Sequence, residues 1–79
     1  MGDEVCTDCT MLQRAALDAI IRHTYTESRL AIAKLLHDSL QIGFLEPAVE
    51  YLLQERSAAV RAYQEHIDLH AQKADGTGV

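Results

Sequence analysis

Two short motifs at opposite ends of this 79-residue chain constrain its fold more than any other feature. The segment Cys6-Thr7-Asp8-Cys9 holds both cysteines of the chain, and His66 and His70 lie near the other end. A CxxC segment has the spacing of a zinc knuckle, and histidines at i and i+4 project from one side of a helix. If the four side chains bind one ion, the chain must fold back until its ends meet.

The size of the chain predicts one domain that needs reinforcement. A domain this short hides only about 60% of the surface that its unfolded chain exposes, so an apolar core alone leaves little margin. A bound metal or a second subunit would supply the missing stability. Because 48% of the residues are hydrophobic but only 5% are aromatic, the core must consist mainly of Leu, Ile, Val and Ala. Such a composition favours helices.

Local signals predict two long helices joined by a short turn. Thr10-Met11-Leu12-Gln13 has the pattern of a capping box at a helix start. Gly43 suits the position just after a helix, and Pro47 suits the first position of the next one. The predicted organisation is a single domain, 1–79, with a CxxC segment over 1–9, a helix over 10–42, a turn over 43–46, a helix over 47–72 and a disordered tail over 73–79.

The first helix has more apolar surface than one partner helix can cover. Besides the stripe expected to face the second helix, a second stripe runs along its length. We therefore predict an all-α fold, an antiparallel helical hairpin of two long helices that forms a homodimer with the architecture of a four-helix bundle. The residues of the second stripe are Leu17, Ile21, Thr24, Ser28, Ala31 and Leu35.

The predicted turn brings the two motifs near each other but leaves a gap. Pairing the helices about Gly43 places His70 opposite Ala16 to Ala19, and Cys9 then lies about 10–15 Å further along the axis. Three arrangements would close this distance. The first residues fold back, the long helix bends at its polar middle between His23 and Arg29, or the cysteines reach the histidines of a second subunit.

The leading hypothesis for the site is one structural zinc ion bound by Cys6, Cys9, His66 and His70. Two alternatives stay open: cysteines that bind nothing, and a redox CxxC pair. Acidic residues around the thiols argue against the redox reading, because they raise a thiol pKa. A hydrogen-bonded or solvated pair of His23 and Glu27 is expected in preference to a second metal centre there.

Charge and pattern argue against several classes of function. A net charge of −5 disfavours nucleic acid, since phosphate binding depends on clustered Lys and Arg. The sequence has no apolar run of bilayer-spanning length and an acidic start unlike a signal peptide, so we expect a cytosolic protein. No arrangement of nucleophile, base and acid is recognisable, and we expect no enzymatic activity. The layout resembles that of small bacterial proteins, a resemblance that implies no particular activity.

Three functions remain as hypotheses. The first is a non-enzymatic, zinc-binding interaction or regulatory module, with a protein partner contacting Phe44, Tyr51 and Leu52 near the predicted turn. The second is a thiol redox protein or sensor that uses Cys6 and Cys9. The third is a structural helical dimer that binds no metal.

Overall fold

Two antiparallel helices form the whole of the described fold. The computed structural model describes residues 6–78, and the side chains of residues 6–71. Helix α1 spans Thr7–Leu35 and helix α2 spans Ser39–Gly78. They pack side by side into a rod about 60 Å long and 18 Å wide. The predicted all-α hairpin is confirmed.

Helix α1 begins one turn earlier than predicted, inside the CxxC segment. Cys6 has extended backbone angles and is the N-cap residue, and its Sγ accepts a hydrogen bond from the Cys9 N–H at 3.3 Å. The Thr10 N–H donates to the Cys6 carbonyl at 3.1 Å, which completes the first helical turn. The predicted start at Thr10 is therefore wrong. A cysteine sulfur here plays the capping part that serine or threonine oxygen usually plays.

The turn lies at residues 36–38, so the predicted turn at 43–46 is also wrong. His37 has a φ of 55°, in the left-handed region, and its N–H donates to the Lys34 carbonyl at 3.2 Å. The Asp38 N–H donates to the Ala33 carbonyl at 2.9 Å. This pair of bonds is the Schellman motif, which ends a helix by satisfying its last carbonyls. It terminates α1 without glycine.

Asp38, the last residue of this motif, also starts the second helix. The Oδ1 atom of Asp38 accepts a hydrogen bond from the Gln41 N–H at 3.2 Å, and the Asp38 carbonyl accepts from the Ile42 N–H at 2.9 Å. Asp38 is thus the N-cap of α2. Asp38-Ser39-Leu40-Gln41 carries an acidic cap followed three residues later by glutamine, so the sequence does contain a start signal for this helix.

Packing explains why Gly43 and Pro47 lie inside α2 and do not form the turn. Leu30 and Ala33 of α1 are buried against Leu45 of α2, and Ile42 and Val49 pack around them. A turn at 43–46 would remove Leu45 and Ile42 from this cluster. Pro47 has no N–H to donate to the Gly43 carbonyl, and the core contacts on either side keep the helix continuous across this defect.

The observed turn also closes the gap that the predicted register left. His66 and Cys9 lie nearly equally far from His37 along the chain, in opposite directions, and so meet across the hairpin. Helix α1 is continuous through His23 and Arg29. The CxxC and histidine pairs therefore meet within one chain, and none of the three special arrangements is needed.

At the other end of the chain, α2 continues past its predicted end. The predicted helix end at residue 72 is wrong, because the last residue of α2 is Gly78. The disordered tail over 73–79 stays a prediction, and Val79 lies outside the described residues.

The hairpin covers little of its own apolar surface. Among residues 6–71 the buried apolar side chains are Ala16, Leu30, Ala33 and Leu45. No helix in the described part of the chain is long and apolar enough to cross a membrane. Thirteen large hydrophobic residues with described side chains are exposed, namely Met11, Leu17, Ile21, Tyr25, Ile32, Leu35, Leu36, Leu40, Phe44, Tyr51, Leu53, Ile67 and Leu69.

We expect Gly43→Ala to stabilise the protein by about 0.5–1 kcal/mol, because glycine in a helix interior costs that much relative to alanine. A Cβ at position 43 would meet no atom within 4 Å, so the methyl group adds no clash. Urea unfolding of the two proteins measures the difference. A lower stability of the alanine variant would show that the chain needs glycine one helical turn before Pro47.

Candidate metal centre

The two cysteines of the candidate site project from the first turn of α1. Cys6 caps the helix and Cys9 follows three residues later, so their side chains lie on the same side of the turn. The Cys9 N–H points at the Cys6 sulfur, and the free amides at a helix start favour negative charge. This end of α1 therefore suits a thiolate.

The two histidines project from one side of α2, one helical turn apart. The ring centroids of His66 and His70 are 4.7 Å apart, with the ring planes tilted by 60°. Each ring presents its Nε2 atom to the other at 3.1 Å. Both nitrogens also face the start of α1, where Cys6 and Cys9 lie.

The four donor atoms form a cluster with the dimensions of a tetrahedral coordination shell. Cys6 Sγ is 3.3 Å from His66 Nε2 and 3.5 Å from His70 Nε2, and Cys9 Sγ is 3.5 Å from His70 Nε2. All four donors lie within 4.8 Å of one another. With metal–sulfur and metal–nitrogen bonds of about 2.3 and 2.0–2.1 Å, a tetrahedral zinc site has donor separations of about 3.3–3.8 Å. Four of the six separations, at 3.1–3.5 Å, are close to this range, and the other two are no longer than 4.8 Å, so the donors are close enough to bind one metal ion.

The surroundings of Cys6 favour its thiolate form. A hydrogen bond from the His66 ring is the main cause, and the Cys9 N–H adds to it, lowering the Cys6 pKa from its usual value to about 6. The pKa of Cys9 is raised, first by desolvation and then by its hydrogen bond and proximity to the Cys6 sulfur. Asp8 raises it further. Among the described residues, Asp8 thus raises the pKa of Cys9, whereas His66 and the Cys9 N–H lower the pKa of Cys6.

We expect the metal-free, reduced protein to show two separate thiol ionisations. Cys6 should lose its proton with a midpoint near pH 6, whereas Cys9 should ionise above the range usual for a cysteine. The Cys9→Ser variant isolates Cys6, and the ultraviolet absorbance of its thiolate measures the midpoint. In a Cys9→Ser, His66→Ala variant the midpoint should move upward, because the main hydrogen bond is gone. Equal midpoints in the two variants would contradict this account.

His23 lies away from this cluster and has a different role. It is buried, with 5% of its surface exposed, and its Nδ1 accepts a hydrogen bond from Arg56 Nη1 at 3.1 Å. Because a guanidinium group has only donors, His23 Nδ1 must carry the lone pair. The hydrogen-bonded alternative for His23 and Glu27 is not observed, since Glu27 is exposed and His23 bonds to Arg56 of the other helix.

The four residues predicted as ligands are the ones that the fold brings together. Within residues 6–71, Cys6, Cys9, His66 and His70 form the single group of histidine, cysteine and acidic side chains with metal-binding spacing. Sequence reasoning missed the capping role of Cys6. The signal was available, because Cys6 and Cys9 have the spacing of an N-cap residue and the amide that bonds to it.

No protein-family model matches the chain, and neither a curated protein nor a solved structure shows significant similarity to it.

Proposed function

We propose that the protein binds one zinc ion per chain through Cys6, Cys9, His66 and His70, and that the ion holds the open end of the hairpin together. The observation that carries this proposal is the convergence of all four donor atoms within 4.8 Å. The residues come from positions 60 or more apart for three of the pairs in contact. Binding of one shared cation would explain why donor atoms from opposite ends of the chain converge.

The donor set supports zinc over other common cations. Calcium and magnesium prefer oxygen ligands, whereas two sulfurs with two imidazole nitrogens suit tetrahedral zinc. Two thiolates balance the charge of a divalent ion. Four protein ligands fill a tetrahedral shell, which is typical of structural sites, while catalytic zinc keeps a position for water.

We infer a non-enzymatic role for this zinc-bound hairpin, as an interaction or regulatory module. The metal would order the ends of both helices, and the exposed apolar side chains would be available for binding. Phe44 and Tyr51, which are 75% and 61% exposed, are the strongest candidates for contact residues, since aromatic side chains are enriched at interfaces.

Native mass spectrometry of freshly reduced protein tests the metal proposal. We expect one zinc per chain before chelation and none after it. Cobalt substitution adds information on geometry, because cobalt bound to thiolates in a tetrahedral site gives intense visible bands and sulfur-to-metal charge transfer. Protein that takes up neither ion at stoichiometric concentration would overturn the proposal.

Thiol redox chemistry is a second candidate, supported by the lowered pKa of Cys6 at a helix start. In this reaction a disulfide oxidant would accept two electrons from Cys6 and Cys9. The two thiols would lose their protons and form one sulfur–sulfur bond, and the oxidant's two sulfurs would become thiols. The His66→Ala variant separates the candidates, because it removes a metal ligand and leaves both thiols. Reversible disulfide formation that persists in this variant, together with no bound zinc in the parent protein, would favour redox function.

A further inference from the structure

One flank of the hairpin, which we call the aromatic flank, forms a continuous surface along both helices. On α1 its positions alternate in steps of four and three, so they share one side of the helix. A groove between the helices, lined in part by Ala15, Arg22 and Ala58, lies on this flank, and a hollow lined by Arg29 and Leu36 continues it toward the turn. The flank consists of Met11, Ala15, Asp18, Arg22, Tyr25, Arg29, Ile32 and Leu36 on α1, and Leu40, Phe44, Pro47, Tyr51, Glu55, Ala58 and Ala62 on α2.

Large and small side chains are unevenly distributed along this flank. Its half near the turn carries Leu40 and Phe44, which are 82% and 75% exposed and stand out from the surface. Its half near the metal centre is a groove of about 400 Å³ between Ala15 and Ala19 on α1 and Ala58 on α2. On α2, the large side chains of the flank therefore lie near the turn and its alanines lie near the metal centre.

The α2 part of the flank is symmetric about Tyr51. Leu40 and Ala62 lie equally far from Tyr51 in opposite directions, and so do Phe44 and Ala58. If a second copy of α2 lies antiparallel with Tyr51 on a two-fold axis, each large side chain faces an alanine of the other copy. Protruding residues then fill recessed positions on both copies.

The α1 part of the flank has the same symmetry. About a point between His23 and Thr24, small Ala15 pairs with large Ile32, and Asp18 pairs with Arg29 of opposite charge. The remaining pairs from the flank are two apolar residues, Met11 with Leu36, and a cation with an aromatic ring, Arg22 with Tyr25.

Both centres of symmetry lie at one level of the hairpin. Tyr51 and His23 are equally far from His37 in opposite directions along the chain, so they lie opposite each other across the hairpin. A single two-fold axis therefore satisfies both helices at once. This coincidence is what a self-complementary interface requires, and an unrelated partner would place no such demand on the sequence.

The opposite flank of the hairpin carries a second groove, lined in part by Ile20, Ser57, Arg61 and Gln64.

We propose that the partner of the aromatic flank is a second copy of this chain. The two hairpins pack with their turns at opposite ends, forming an antiparallel four-helix dimer with Tyr51 on the axis. Each metal centre then lies near the turn of the other copy. This interface does not depend on what the metal centre binds. It covers seven of the thirteen large hydrophobic residues that are exposed within residues 6–71 of the hairpin, and it leaves Leu17, Ile21 and Leu35 of the second α1 stripe uncovered.

The experiment measures the mass of reduced, zinc-supplemented protein by light scattering during gel filtration, at tens of micromolar. We expect the parent protein to have twice the chain mass. Ala58→Phe should give the mass of a monomer, because the new ring would clash with Phe44 of the second copy. Adding Phe44→Ala to Ala58→Phe should restore the dimer, because the ring at position 58 of each copy then faces an alanine at position 44 of the other.

Ser57→Phe is the matched control, since it places the same side chain next door on the opposite flank, and it should remain a dimer. Circular dichroism of Ala58→Phe should show an unchanged helical signal, because residue 58 is exposed in the hairpin. A monomeric parent, a dimeric Ala58→Phe variant or a double variant that stays monomeric would overturn the proposed interface.

Discussion

Replacing His66 with alanine is expected to lower zinc affinity more than about 100-fold, because loss of a second-shell partner alone costs 10–100-fold at metal sites. The ring bridges the cluster, with its Nε2 3.3 Å from Cys6 Sγ and 3.1 Å from His70 Nε2. Without it, three donors remain and water must complete the shell. Competition with a coloured chelator measures the affinity.

His37→Asn is the matched control for this variant. His37 is an exposed histidine at the turn, far from the cluster, and asparagine tolerates its left-handed backbone. Zinc affinity should be unchanged in this variant. Equal affinities for the parent and His66→Ala would contradict the proposed ligand set, and a loss in His37→Asn would place the ion elsewhere.

Loss of zinc binding in His66→Ala should also lower the stability of the folded protein. Metal bound only by the folded chain contributes its binding free energy to folding, with apparent values of about 10–16 kcal/mol for structural zinc in small peptides. That range matches or exceeds the total stability of a typical domain. Chelation should therefore lower the melting temperature of the parent protein strongly and that of His66→Ala little.

The ligand set was predictable from sequence because it depends on local spacing. Cys6 and Cys9, and likewise His66 and His70, are neighbours on a helix whatever the rest of the chain does. Their meeting depends on the register of the hairpin, which is set by the turn. The sequence contains two sets of turn signals, and the one used for the prediction, Gly43 with Pro47, is not the one at which the chain reverses.

The turn could not be located from local signals alone. Gly43 and Pro47 are strong helix breakers, whereas His37 is an uncommon residue for a left-handed position. Burial of Leu45 against Leu30 and Ala33 decides between the two possible turn positions. Because this contact joins residues of both helices, no local signal reveals it. The same limit applies to Arg56, whose partner His23 comes into reach only in the observed register.

Leu30→Ala is expected to destabilise the hairpin by about 2–3 kcal/mol, at the lower end of the range for buried leucine because the core is thin. Leu30 is 9% exposed and contacts the cluster that includes Ala33 and Leu45. Alanine would leave a cavity between the helices at the place where they first meet after the turn. Urea unfolding with zinc in excess measures the loss.

Leu35→Ala makes the same substitution on the same helix, where the side chain is 79% exposed. It lies outside the aromatic flank, so the proposed dimer does not bury it, and its cost should stay within about 0.5 kcal/mol. The contrast between the two leucines therefore reports which face of α1 meets α2. Similar losses at both positions would mean that Leu35 is also buried in solution, and a larger loss at Leu35 would reverse the assignment of the inner face.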